Sequence, residues 1–258
     1  MSFRPTSGAI LSARHSFMPN RLGYCGPDEN EVIMEACVNN KPSTRLLEVL
    51  RGFQGAYPYL RFLAEHNGSG DPFDYQVTEA YWIGNDLLHD IPPDAFYKHL
   101  RKRFSAKFPR EHVKKFFESK PYASFPHHSL HVFNAFSAMG TVPDSFASGK
   151  GPDVQVGQLM DKCRISWGRV VDMQDQDLVV EYQPLVRQNG KLSLHTLTKT
   201  RVTRQVNGVN LLPEARLGDW VSSHWGLACT TLRPAQVKNL KKYTLASMRL
   251  ANTVPVPD

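Results

Sequence analysis

The sequence has few cysteines and no long apolar run. Its four cysteines, Cys25, Cys37, Cys163 and Cys229, include no CxxC pair, so the sequence indicates neither a zinc ribbon nor a disulfide framework. No apolar stretch reaches the roughly 18 residues that a transmembrane helix needs. The residues after Met1 also lack the apolar core of a signal peptide. We therefore expect a cytoplasmic protein that does not associate with membranes.

Several familiar catalytic motifs are also missing. The chain contains no GxGxxG, P-loop or GxSxG motif and no set of kinase motifs. Nucleotide use and serine hydrolysis are therefore unsupported. Its 258 residues include 41% apolar and 21% charged residues, which is ordinary for a globular protein.

Positive charge is concentrated in one part of the chain. The net charge is +7, and much of the excess lies between Lys98 and Lys120, with phenylalanines interleaved. A basic stripe with aromatic residues can bind nucleic acid, but no RNA- or DNA-binding motif accompanies it. We favour a pair of amphipathic helices with solvated lysines. The same stripe could dock an acidic protein partner.

The two parts of the chain differ in hydrophobic period. Residues 1–150 predict a helical domain: Leu46, Val49, Leu50 and Phe53 form one apolar stripe with helical spacing. Proline and aspartate pairs, such as Pro93-Asp94, predict further helix starts. Turn-forming residues are frequent between residues 140 and 152, so we place the domain boundary at residues 150 and 151.

Residues 151–258 instead predict a small β domain. Residues 154–162 predict a connecting helix. Short alternating segments follow, and Asn189-Gly190 and Asn207-Gly208 are hairpin turn signals. So many short strands predict a small, OB-like β-barrel, because closure removes exposed strand edges. Pro234 then predicts the start of a C-terminal helix. The fold class predicted for the whole chain is α+β.

Two segments of the β region carry a resemblance. The first, Cys163–Val171, reads CRISWGRVV, and the second, Leu217–Ala228, reads LGDWVSSHWGLA. In the HypC/HupF family of [NiFe]-hydrogenase maturation chaperones, a cysteine precedes a strand that ends in Gly-x-Val. A Gly-Asp-aromatic-Val-x-x-His-x-Gly-x-Ala segment then ends the barrel before a C-terminal helix. The C-terminal third of this chain resembles that family, fused to an uncharacterised helical domain.

The resemblance implies a site and a partner. It implies that Cys163 is a thiolate ligand of an iron that carries cyanide and carbon monoxide, and that His224 is a ligand or a hydrogen-bonding neighbour. It implies that the partner is a HypD-like maturation protein or the hydrogenase large subunit. The family cysteine lies at the N-terminus of its chain, whereas Cys163 is internal. Taken without the resemblance, Cys163 is better explained as a small buried hydrophobe and His224 as a core histidine.

The helical region has candidates of its own. His127, His128 and His131 lie close together, and in a helix His127 and His131 would share one face, as two histidines that bind one metal do. A helix cap or the wall of a cleft would explain the same histidines. Cys25 lies in a loop rich in Gly and Pro, which suits an accessible ligand or a structural turn. We predict that His131 is a metal ligand and that Cys25, His127 and His128 contact a cofactor.

These observations favour a carrier of an iron centre over an enzyme. The predicted function is binding and transfer of an iron with cyanide and carbon monoxide ligands during [NiFe]-hydrogenase maturation, through Cys163 and His224. One alternative is a metalloenzyme that uses Cys25 and the His127–His131 cluster. A second is a basic nucleic-acid-binding module, which the absence of a recognition motif disfavours.

Overall fold

A computed structural model describes residues 7–106, 110, 113–114, 117, 124–135 and 152–253. The predicted domain boundary at residues 150 and 151 lies outside these residues, and so does most of the predicted basic stripe beyond residue 106. Both stay predictions. None of the helices within the described ranges is long and apolar enough to cross a bilayer.

The N-terminal region is helical, as predicted. Side chains of Ser7, Ser43 and Asp74 cap three of the helices by accepting hydrogen bonds from backbone N–H groups in the first turn. The elements are α1 (Gly8–Arg21), α2 (Asn30–Asn39), α3 (Thr44–Arg51), α4 (Tyr57–His66), α5 (Tyr75–Trp82), a 3₁₀ turn (Asp86–Leu88) and α6 (Pro93–Ser105).

Helix α1 lies at the centre of the molecule. It packs against α2, α3 and α5 and also against two strands that come much later in the chain. Most of its residues are buried, including the polar Ser12, Arg14 and His15. A helix surrounded on every side shows no single apolar stripe, so no periodic pattern in the sequence predicts α1.

A short irregular helical segment and then a regular helix precede the strands. The short helix α7 (His128–Leu130) passes directly into a π-helical turn over residues His131–Ala135. Such π-helical turns occur frequently at functional sites. Helix α8 (Pro152–Cys163) follows and corresponds to the connecting helix that the sequence predicts.

The strands form a closed ring and two separate hairpins. The ring order is β1-β2-β5-β9-β8, and one parallel pair, Thr203 with Leu227, joins β5 to β9. The two predicted turns, at Asn189-Gly190 and Asn207-Gly208, form the hairpins β3–β4 and β6–β7. The strands are β1 (Ser166–Met173), β2 (Asp177–Tyr182), β3 (Leu185–Gln188), β4 (Lys191–Leu194), β5 (Thr198–Thr203), β6 (Gln205–Val206), β7 (Val209–Asn210), β8 (Trp220–His224) and β9 (Leu227–Leu232).

A C-terminal helix, α9 (Pro234–Ala251), completes the chain, and the predicted α+β class is confirmed. Helices and strands share the main hydrophobic core, to which Leu63, Leu227 and Tyr243 belong, while two smaller clusters include one inside the strand ring. Buried Glu79 on α5 accepts a 2.7 Å hydrogen bond from Gln236 on α9. The helical region is therefore joined to the end of the chain by polar as well as apolar contacts.

Candidate metal centre

Three potential metal ligands meet between the helices and the strand ring. The side chains of His128, Cys163 and His224 each offer one ligand atom, and these atoms all lie within 4.8 Å of one another. Among the His, Cys, Asp and Glu residues of the described ranges, these three form a group whose geometry could hold a metal ion. Imidazole and thiolate together suit borderline and soft transition metals such as zinc, copper and iron.

Strand pairing brings Cys163 and His224 together. Cys163 ends α8 shortly before β1, and His224 ends β8. Since β1 and β8 are neighbours, with Ser166 opposite Ser223, both residues lie at the same end of the ring. The backbone N–H of Trp225 also donates a 2.9 Å hydrogen bond to the Lys162 carbonyl. Two residues that are far apart in sequence are therefore held close by backbone hydrogen bonds.

His224 is oriented as metal-binding histidines usually are. Its Nδ1–H donates to the backbone carbonyl of His15 at 2.5 Å, and its Nε2 is buried without a hydrogen-bond partner of good geometry. Burial lowers the pKa of His224 to about 4, so the ring is neutral at neutral pH. A backbone carbonyl on one ring nitrogen leaves the other with a lone pair for a metal.

His128 is held on both sides of its ring. Its Nε2 lies 2.9 Å from the Cys163 carbonyl, and its Nδ1 lies 3.1 Å from the Tyr81 hydroxyl. That hydroxyl also lies 2.9 Å from the carbonyl of Gly55, and its single proton can serve one of the two acceptors at a time. Burial holds the pKa of His128 well below its usual value. Metal binding by His128 would therefore replace one existing hydrogen bond.

Cys163 is protonated at neutral pH when no metal is bound. Burial raises the pKa of its thiol to about 12, nearby Cys25 adds to that rise, and a hydrogen bond from the Trp225 side chain opposes it. The thiolate is the form that binds metals. Binding of an ion would therefore release a proton.

The three residues line a cavity of about 130 Å³. Most of its surface is apolar or aromatic, but Cys25 and His131 also line it. These two flank Gly55: a side-chain carbon there would lie 3.2 Å from Nε2 of His131 and 3.7 Å from Sγ of Cys25. The glycine keeps open the space between them. Burial raises the pKa of Cys25 as well.

His127 lies apart from this cavity. Its ring stacks on Tyr243, with centroids 5.6 Å apart, and its Nδ1 accepts a hydrogen bond from the N–H of Ser129 as the cap of α7. Since the helix begins only after His127 and changes its winding at His131, the expected pair on one helical face does not form. His128, between them, is the one that faces Cys163.

The structure therefore brings together five of the six candidate residues, Cys25, His128, His131, Cys163 and His224, and separates His127 from them. Their supports, namely His15, Tyr81 and Trp225, were not predicted from the sequence. His15 and Tyr81 belong to no motif, and Trp225 occupies the unspecified position between histidine and glycine in the segment Leu217–Ala228.

The comparisons with known proteins give one result. The sequence model described as a family of unknown function (DUF6390) matches residues 4–257, nearly the whole chain rather than its C-terminal third. No curated protein and no solved structure matches the chain, and no comparison connects it to the HypC/HupF family. The chain belongs to DUF6390, a family of unknown function.

Proposed function

We propose that this protein is a metal-centre carrier that holds iron through His128, Cys163 and His224. The observation that carries the proposal is their convergence, within 4.8 Å, in one cavity. The two segments on which the resemblance to the HypC/HupF family rests supply Cys163 and His224. The helical region supplies His128, which the resemblance does not include.

A carrier must hold its metal and also release it. Three protein ligands leave coordination positions for other groups, whereas a closed set of four ligands is typical of permanent structural sites. Because His128 would give up a hydrogen bond when it binds the metal, metal binding would be weaker than if its ring had no such bond. The donor set and its supports are therefore compatible with a transferable ion.

The proposed cargo is an iron with small ligands such as cyanide and carbon monoxide. The cavity, at about 130 Å³, is close to the roughly 150 Å³ of engineered cavities that admit benzene. It has room for a metal with a few diatomic groups, and its apolar walls suit such groups better than charged substrates. When bound, such a centre would supply the iron and diatomic ligands of a hydrogenase, while the chain would supply the ligands and exclude bulk water.

The proposed setting is cytoplasmic [NiFe]-hydrogenase maturation, with a HypD-like protein or the hydrogenase large subunit as partner. Helix α6 presents part of the basic stripe, with exposed Arg101 and Lys102, and an acidic surface of the partner would complement it. The rest of the stripe lies mostly outside the described residues. The same positive charge could also attract nucleic acid. Binding to nucleic acid that weakens as the salt concentration rises would support that alternative.

Metal analysis with infrared spectroscopy tests the carrier function. The full chain would be purified anaerobically from cells that express hydrogenase maturation proteins, beside Cys163→Ala and Cys229→Ala. Cys229 is a buried thiol outside the cavity and is the matched control. We expect iron with cyanide and carbonyl bands in the wild type and in Cys229→Ala, and neither in Cys163→Ala. Wild-type protein without iron, or equal iron in all three, would contradict the carrier function.

A metalloenzyme is the second candidate, because Cys25 and His131 line the same cavity opposite Gly55. In such an enzyme Cys25 and His131, rather than Cys163, would hold the ion. Metal that survives Cys163→Ala but is lost in His131→Ala would favour the enzyme.

A further inference from the structure

We propose that the stacked side chains of Tyr24 and Trp225 form a gate that sets the size of the molecules that reach Cys163. What passes through the gate, a metal ion and its small ligands, rests on the proposed function. The barrier itself depends only on the packing around Cys163. Nothing in the sequence motifs assigns a role to either aromatic residue.

The gate separates two concave regions. Inside it is the cavity of about 130 Å³ that holds the candidate ligands. Outside it is an open groove of about 950 Å³ between α8 and the strand ring, with Lys162, Tyr182 and Arg201 among its lining residues. Within the described part of the chain, Tyr24 and Trp225 are the residues that line both. They are therefore the shared wall between the groove and the cavity.

The two rings close this wall by stacking. Their centroids are 4.4 Å apart and their planes are inclined by 19°, which leaves no space between them for another molecule. Cys163 lies on the inner side, because it lines the cavity and is not among the lining residues of the groove. A molecule that comes from the groove to Cys163 must separate or pass the two rings.

Trp225 is the fixed half of the gate. It is in the left-handed region, with φ of 53°, and Gly226 follows with φ of 77°, as the tight β8–β9 turn requires. A tryptophan rarely adopts this conformation and keeps it only where its surroundings enforce it. Here the strand pairing and the hydrogen bond to the Lys162 carbonyl enforce it.

Tyr24 is the half that can move. It lies in the loop between α1 and α2, its ring stacks on Trp225, and it is 39% exposed. The preceding Gly23 has φ of 73°, and a side chain there would meet nothing within 4 Å. The backbone here is held by hydrogen bonds from the N–H groups of Gly23 and Tyr24 to the carbonyls of Asn20 and Pro19, so the part that can move is the Tyr24 side chain. Rotation of the Tyr24 side chain away from Trp225 would widen the passage from the groove to the cavity without moving a strand or helix.

The barrier can be measured by thiol labelling of the full chain without metal. Two probes would be compared, the small methyl methanethiosulfonate and a bulky fluorescein maleimide. The thiosulfonate forms a mixed disulfide with the thiol and releases methanesulfinate. Peptide mapping would follow each cysteine with a protease other than trypsin, because trypsin would cut on both sides of the Cys163-Arg164 pair. Buried Cys37 and Cys229, 2% and 1% exposed, report any general loosening of the fold.

In the wild type we expect Cys163 to react with the small probe and to exclude the bulky one. Tyr24→Ala should raise the rate of bulky labelling at Cys163 toward the rate of the small probe. Tyr24→Phe keeps the stacked ring and should behave as the wild type. Trp225→Phe, which also keeps a ring but loses the N–H, should still exclude the bulky probe.

Two results would overturn the gate. One is bulky labelling of Cys163 at the same rate in Tyr24→Ala and in the wild type. The other is a parallel rise at Cys37 or Cys229, which would show that the substitution acts through the fold. Because the assay contains no metal, a failure of the proposed function would appear in the metal analysis and leave these rates unchanged.

Discussion

The strand-ring side of the cavity holds Cys163 and His224 by backbone hydrogen bonds, whereas the helical side holds its residues in short irregular segments. On the ring side, β1–β8 pairing and the bond from Trp225 to Lys162 position both ligands. On the helical side, His131 begins a π-helical turn and Cys25 lies in a loop. The difference indicates a rigid half of the site and an adjustable half.

The largest expected effect is on metal affinity, and it should differ between the ligands His224 and His128. His224→Ala removes a ligand whose Nε2 has no hydrogen-bond partner of good geometry, while His128→Ala removes one that must first give up a hydrogen bond. We expect His224→Ala to weaken metal binding by at least about 100-fold, because the loss of a group that only supports a ligand already costs up to about that much. We expect His128→Ala to weaken it less. Competition titration with a chromophoric chelator measures both affinities. A greater loss in His128→Ala would reverse the assignment of rigid and adjustable halves.

The next effect concerns the contact between the helices and the end of the chain. Glu79 is 5% exposed and accepts hydrogen bonds from Gln236 at 2.7 Å, Asn85 at 3.1 Å and Arg233 at 3.3 Å. Glu79→Gln replaces one acceptor oxygen by a donor, so we expect a loss of about 2 kcal/mol in the free energy of unfolding. Urea denaturation measures it.

Glu48→Gln is the matched control for Glu79→Gln, because Glu48 is an exposed residue of α3 and should change stability little. Equal midpoints for the two variants would show that the helical region does not depend on this buried network.

Acid should destabilise the protein through its buried histidines. Burial lowers the pKa of His15 and His127 to about 3 and of His224 to about 4, below the 6.5 of an unfolded chain. The unfolded state then binds more protons below pH 6.5. Stability is therefore full above 6.5 and falls as the pH drops toward the folded values. From pH 6.5 to 5.5 the loss is at most about 1.4 kcal/mol per histidine.

Denaturation midpoints from pH 7.5 to 5.5 measure this loss. His195, an exposed histidine of the strand region, provides the control: His195→Gln should leave the pH profile unchanged, whereas His127→Gln should flatten it. A flat wild-type profile would contradict neutral burial of these rings.

The smallest effect should come from filling the space on the helical side. Gly55→Ala places a methyl group 3.2 Å from His131 and 3.7 Å from Cys25, away from the ligands on the ring side. We expect metal affinity to change less than tenfold, the lower end of the effect of losing a supporting group. The same chelator competition measures it. A loss as large as that of His224→Ala would move the centre toward Cys25 and His131.

The local parts of the fold were accessible from sequence because they depend on neighbouring residues. Asn189-Gly190 and Asn207-Gly208 specify hairpin turns through their positive φ angles. Pro93 and Pro234 mark helix starts that the structure confirms. Helix α1 was missed because its neighbours come from several distant elements, and its burial on every side leaves no periodic pattern to read.

The sequence by itself determined the α+β class, the turns and the candidate ligands Cys163 and His224, since these depend on local patterns and on a motif. Only the tertiary structure decided which histidine of the His127–His131 cluster faces Cys163, because the answer depends on where α7 begins and how it winds into a π-helical turn. It also placed Cys25, Tyr24 and Trp225 around the same cavity. Such juxtapositions arise from packing between distant segments, for which no local pattern exists.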